Sequence, residues 1–451
     1  MSGSPESLPM VLRLSILVLS AALVMILTGI DASHAGPVAA VVRDPGLGSG
    51  MQDLDFEVGR ALFEQQWVSA PSSTQATDGL GPLFNARSCD SCHAGGGRGI
   101  PLDQTGALTP SLLVKLGMHG SAMGDPIYGR QIQTNAVPGL QAEAKVAVSF
   151  AHHTVTLADG SKVDLEKPIL HLADFAFGPL AADTQLSPRL ATAINGIGLL
   201  ERIPEAEILG RAKETHDGIS GRPNWIVDPT TGKRALGRFG WKASEASLEA
   251  QDAKALDLDI GLSNPLYRDA YGDCTKAEPA CLKMPSGASP QFENLEVPSI
   301  LMNLIDRFVR EAVLPKPKLA DLSDLDQGKT VFASAGCEAC HRAQFHLPSS
   351  GKLAARNIAP YSDLLLHDMG TDLADHVGEG VASGSEWRTA PLWGIGTAMQ
   401  RPGAGLMHDG RARTILEAIL WHDGEAATAR RKVEALSPAD RQALIDFIGS
   451  L

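Results

Sequence analysis

The chain has 451 residues, 44% hydrophobic and 20% charged, with 39 Lys+Arg against 52 Asp+Glu for a net charge of −13. That balance excludes a nucleic-acid-binding surface, which needs basic residues against phosphates, and the apolar fraction excludes global disorder. Forty-six Gly, 28 Pro and only 5% aromatics point to many loops between short elements and away from a large all-β protein.

Residues 1–35 read as an export signal. Arg13 precedes the largely apolar Leu14–Ile30, and Ser33-His34-Ala35 offers small residues for cleavage before Gly36. An uncleaved membrane anchor is the alternative, since the run is slightly short for a spanning helix. Either way the rest of the chain is expected outside the cytoplasm, in the periplasm, touching a membrane only if the segment is uncleaved.

The next phrase, Asp55-Phe-Glu-Val-Gly59-Arg60-Ala-Leu62-Phe63, has helical character. A turn-rich loop, 69–81, leads from it to Cys89-Asp90-Ser91-Cys92-His93. Cys-x-x-Cys-His is the attachment sequence for c-type haem. Two thiols at this spacing reach the two vinyl groups on one porphyrin edge and form thioethers, and the adjacent His is placed under the iron. A zinc site would still need a fourth ligand beyond two thiolates and one His.

Alternating Val146–Phe150, Thr154–Leu157 and Lys162–Leu165, with Ala158-Asp159-Gly160 between the last two, predict a β-hairpin. Cys274 and Cys281 lie outside any haem motif and are expected to close a small disulfide loop in an oxidising compartment. Val313-Leu-Pro315-Lys-Pro317-Lys318 is the expected seam, because proline stops a helix there. It divides the chain into 36–315 and 316–451.

Beyond the seam, Asp324-Leu-Asp-Gln-Gly328-Lys329-Thr-Val331-Phe332 repeats the earlier phrase at identical offsets and leads to Cys337-Glu338-Ala339-Cys340-His341, a second haem motif. Arg189 before Gly196-Ile-Gly198 is echoed by Arg388 before Gly394-Ile-Gly396. Gly240-Trp-Lys-Ala243 before Leu248-Glu-Ala250 is echoed by Gly410-Arg-Ala412 before Leu416-Glu-Ala418. These last two echoes each require a gap. Their common order predicts two related haem domains in tandem, the first carrying the small hairpin as an insertion. Ser437 as N-cap and Pro438 at the first helical position open a last helix with Leu444, Ile445 and Ile448 on one face.

Gly79-Leu-Gly-Pro-Leu-Phe-Asn-Ala-Arg-Ser-Cys89, Arg238-Phe-Gly-Trp-Lys-Ala243, Tyr361-Ser-Asp-Leu-Leu-Leu-His-Asp-Met-Gly370 and His408-Asp-Gly-Arg-Ala412 together resemble the di-haem oxidoreductases described as thiol oxidoreductases. These are distant relatives of bacterial di-haem cytochrome c peroxidases and MauG-type enzymes. The resemblance implies a mainly α fold of two cytochrome c-like domains facing each other, with two covalently bound c-type haems. One haem would receive electrons and the other would meet peroxide or another small oxidant.

The same resemblance implies functional residues. His93 and His341 are the proximal ligands, and His422, just beyond the helix after His408-Asp-Gly410, is the distal ligand of the second haem. Met407, Met369, Met399 and His408 are rivals for that place. In the first half the matching position falls on Lys254, a poor iron ligand while protonated, so that haem is five-coordinate or takes a ligand such as His119, His152 or His153. Glu249, one position out of register with the relatives' distal acid, is the candidate proton-handling residue, and Trp241 a candidate relay or packing residue. An oxidoreductase of the cytochrome c peroxidase kind is therefore expected. A small redox protein, a cytochrome or a copper protein, would exchange electrons with the C-terminal haem, and electrons would pass to the N-terminal haem. A non-catalytic di-haem electron-transfer cytochrome is the alternative.

Overall fold

In the computed structural model, residues 41–44, 46–47, 51–74, 76–119, 123–214, 218–314, 325–351 and 353–451 are described. The expected leader, 1–35, and the seam at 315–316 lie outside them. Among the described residues no helix is long and apolar enough to cross a membrane.

Two helix pairs organise the chain. In the N-terminal half, α1 (Met51–Glu64) crosses a helix at Ser299–Glu311, and in the C-terminal half a helix at Leu325–Ala335 crosses one at Pro438–Gly449. Glycine sets both crossings. A Cβ on Gly59 would lie 2.1 Å from the Leu304 carbonyl oxygen and 2.9 Å from Phe308 Cβ. A Cβ on Gly328 would lie 2.1 Å from the Ala443 carbonyl oxygen and 2.6 Å from Phe447 Cβ. Only a residue without a side chain permits such an approach. Each interface is then filled by aromatics: Phe63 stands 5.0 Å from Phe308, and Phe332 stands 5.4 Å from Phe447, ring centre to ring centre. The last helix starts as its sequence predicts, with Ser437 accepting from Asp440 N and Pro438 in the first turn.

Two short helices repeat as well. α2 (Ile197–Glu201) and α3 (Ile395–Met399) both open on a left-handed glycine, Gly196 and Gly394. In each, the second glycine, Gly198 or Gly396, abuts the end of the long helix of its own half, at Arg310 O and Gly449 O.

Strands form seven separate antiparallel pairs among the described residues. Helix accounts for 29% of the described residues, so the expected mainly helical composition is only partly met. The reason lies in the Gly- and Pro-rich connections, which form the expected loops between short elements and carry isolated bridges. The predicted hairpin is longer than its alternation alone indicated: β1 (Lys145–Thr156) pairs with β2 (Lys162–Ala173) along its whole length. Its tip docks on the C-terminal half. Leu157 and Leu165 are buried with Leu373, Trp387, Leu406 and Trp421, each worth roughly 2 kcal/mol of apolar burial. Asp159 pairs with Arg441 at 2.5 Å and Glu166 with Arg413 at 2.5 Å. Cys274 and Cys281 stand at disulfide distance, their Cα atoms 6.3 Å apart.

Candidate haem centres

Each Cys-x-x-Cys-His motif folds into one tight turn. Ser88 accepts from Ser91 N and caps the turn Cys89–Cys92, while Gly336 in the left-handed region starts the turn at Cys337–Ala339. His93 N donates to Cys89 O and His341 N to Cys337 O, both at 2.9 Å. Each turn thus places two sulfurs and an imidazole on one side.

Both imidazoles are oriented the same way. His93 Nδ1 donates to the Thr192 carbonyl at 2.6 Å and His341 Nδ1 to the Tyr361 carbonyl at 2.8 Å, which fixes the tautomer and frees Nε2 for a metal. Burial lowers the pKa of both, His341 to about 4, so they are neutral and able to ligate. Burial also pushes the Cys89 and Cys337 thiols up to about 12.

His422 faces His341. Their ring centres are 6.4 Å apart, and one ion bonded by both rings at about 2.0 Å would set the centres roughly 6 Å apart. His422 Nδ1 donates to Ala418 O at 2.7 Å, so its Nε2 is also free. This donor set fits a haem iron held from both faces.

The segment leading to His422 has a counterpart in the first half, at one constant spacing in sequence. Bridge Phe239·Glu245 matches bridge Leu406·Ala412. Gly240 and Met407 both have positive φ, as do Ala243 and Gly410. Ser247 caps the helix Leu248–Ala255 through Ala250 N, and Thr414 caps the helix Ile415–Leu420 through Glu417 N. In this register Trp241 matches His408, and Ala255 matches His422. The gapped sequence register is corrected: not Lys254 but Ala255, which has no donor atom, occupies the place of His422. Lys254 is tied to Glu245 at 2.5 Å. Burial opposes its charge, but Glu245 beside it prevails and raises its pKa.

A cavity of about 440 Å³ contains both motifs, His422 and Ala255. The chain matches the family described as "Di-haem oxidoreductase, putative peroxidase" over residues 35–110 and 130–451. It belongs to that family. Among solved structures, Kuenenia stuttgartiensis hydrazine synthase pressurised with xenon is similar at 12% identity and a TM-score of 0.31, with 100% of each chain covered; so loose a likeness bears no argument. No curated protein matches.

The cavity of this di-haem oxidoreductase is lined by seven Arg and Lys against four Asp and Glu, although the whole chain is strongly acidic. Such a pocket favours a polyanionic occupant, and four porphyrin propionates fit that description. Trp241 lines the cavity and donates Nε1 to Leu190 O at 2.8 Å. Glu249 does not line it, and neither does Leu416, its match in the corrected register; the lining carboxylates are Glu245, Asp252, Asp259 and Glu379. Of the rival ligands, Met369, Met407 and His408 line the cavity and Met399 does not. His408 is stacked on Trp387 at 3.8 Å, and burial lowers its pKa to about 3. His119, His152 and His153 are exposed and lie outside the lining. Glu379 escaped the sequence reading: it comes from the C-terminal half yet pairs with Lys115 at 3.3 Å and Arg189 at 2.9 Å in the first. No local pattern announces such a long-range partner.

Proposed function

We propose that this protein is an exported c-type di-haem oxidoreductase that reduces peroxide at its N-terminal haem. In this reading Cys89 and Cys92, and Cys337 and Cys340, carry the two haems through thioethers, in two related cytochrome c-like halves. The leader 1–35 sends the chain to the periplasm, where Cys274 and Cys281 form a disulfide. The observation that carries the functional assignment is the difference between His422 and Ala255 at matching positions: a haem iron held by His341 would meet a second imidazole, whereas the matching position in the first half offers no donor atom.

A closed haem suits electron transfer and an open one suits chemistry on a small ligand. His341 and His422 would hold the haem that accepts electrons from a small cytochrome or copper protein, and His93 would hold the haem to which they are delivered. Hydrogen peroxide takes two electrons and two protons and yields two waters. The haem at His93 supplies the iron that binds the oxidant. Lys254, next to Ala255 in the chain, pairs with Glu245 at 2.5 Å, and both line the cavity as the proposed proton-handling pair; Glu379, with Lys115 and Arg189, adds further charged groups to the lining.

The test is optical. Half-reduced protein should contain one high-spin ferric haem whose spectrum shifts on adding peroxide or cyanide. Two low-spin haems indifferent to both would make the protein an electron carrier instead.

A further inference from the structure

Two arginines in the cavity repeat one arrangement across the halves. Arg98, in the N-terminal half, donates Nε to Gly405 O at 2.8 Å and Nη2 to Met407 O at 2.7 Å in the C-terminal half. Arg388, in the C-terminal half, donates Nε to Gly240 O at 3.0 Å in the N-terminal half, and Nη1 to Thr389 O at 3.1 Å. Met407 and Gly240 are the matched positive-φ residues. The backbone obeys the same exchange: Leu190 N donates to His408 O at 2.7 Å, and Arg388 N donates to Trp241 O at 2.9 Å. The caps Gly196 and Gly394 put Leu190 and Arg388 in register.

Both guanidiniums line the cavity, and each bonds only to neutral carbonyls. Lys242, by contrast, has Asp375 at 2.9 Å, and Arg411 has Asp409 at 2.7 Å; Arg238, also in the lining, donates only to carbonyls but has Glu205 and Glu201 drawing on its charge. Asp363 draws weakly on Arg388 but is itself held by His367 at 2.9 Å. Desolvation accordingly lowers both arginines to about 10. An unpaired buried cation is costly unless an anion completes it, and the planar fork of arginine suits a carboxylate.

We infer that Arg98 and Arg388 form a matched pair of carboxylate seats, one at each haem centre, that receive propionates of the bound porphyrins. Each seat is held in place by the opposite half, so the seats also tie each haem to both halves. The inference rests on the di-haem reading and adds to it which protein charges meet the porphyrin.

The holoprotein variants R98Q, R388Q, R98K and R388K test it, with haem content counted as pyridine haemochrome and midpoint potentials taken from optical redox titration. Each Gln variant should keep two haems and lower the potential of one of them, and that potential should become pH-dependent near neutrality as its propionate loses the cation. The Lys variants, retaining charge without the fork, should shift less. Should R388Q fail to fold, R98Q and R388K carry the comparison. Two haems with unmoved potentials in R98Q and R388K would overturn the assignment. So would a wild-type potential that responds to acetate or phosphate at constant ionic strength, since the seats would then hold a solute anion. Wild-type protein without two haems would sink the di-haem reading itself, a distinct result.

Discussion

Exchanging the residues at the two matched positions tests the asymmetry between the haems directly. In H422A the iron opposite His341 loses its second imidazole. The loss should be local, because the His422 side chain makes one hydrogen bond, Nδ1 to Ala418 O at 2.7 Å, worth about 1 kcal/mol against a total stability of roughly 5–15 kcal/mol. The number of low-spin haems per chain should therefore fall from one to none while the protein remains folded. A255H makes the converse change. Ala255 lines the cavity, so an imidazole has space to enter, and the low-spin count should rise from one to two with loss of the cyanide and peroxide response. Electron paramagnetic resonance with spin quantitation reads both counts. A low-spin signal in H422A equal to that of the wild type would refute the reasoning, because the 6.4 Å ring separation would then not mark a ligand pair.

Other perturbations probe the frame that holds these positions. G328A puts a methyl against Ala443 O and Phe447 Cβ and should cost about 1–3 kcal/mol or more, with G59A doing the same in the other half; a lowered melting temperature in both is the check. T414A removes the hydroxyl that accepts from Glu417 N at 3.1 Å and should cost about 1 kcal/mol in chemical denaturation. Glu143 is buried beside Glu278, and burial first, then that neighbour, raises its pKa above the ordinary 4.5. The folded state then binds more protons than the unfolded one, so this site's contribution to stability falls as pH rises from about 4.5 upward; E143Q should flatten the denaturation midpoint against pH and raise it at neutrality.

What the sequence revealed and what it concealed follow from the range of each interaction. The haem motifs, the Ser437 cap and the Asp-Gly hairpin are local, and the residues that make them are adjacent in the chain. Gly59 and Gly328 also stood out, because a helix crossing this close admits only glycine, so residue identity and structural role coincide. They part company in the segment before His422. There the sequence offers Gly240 and Gly410 as equivalents, but the fold equates Gly240 with Met407 and Ala243 with Gly410, since both members of each pair adopt positive φ. Backbone conformation, not residue type, is what the two halves share, and matching Leu248-Glu-Ala250 to Leu416-Glu-Ala418 displaces the register by one and puts Lys254 where Ala255 stands. Lys254 already read as a poor ligand that leaves the first haem five-coordinate, and Ala255, which has no donor atom, gives that expectation a firmer footing, since Lys254 is engaged by Glu245. Arg98 and Arg388 were harder still, because what distinguishes them is the lack of a carboxylate. A missing partner is visible only when every neighbour has been placed, and those neighbours come from the opposite half of the chain.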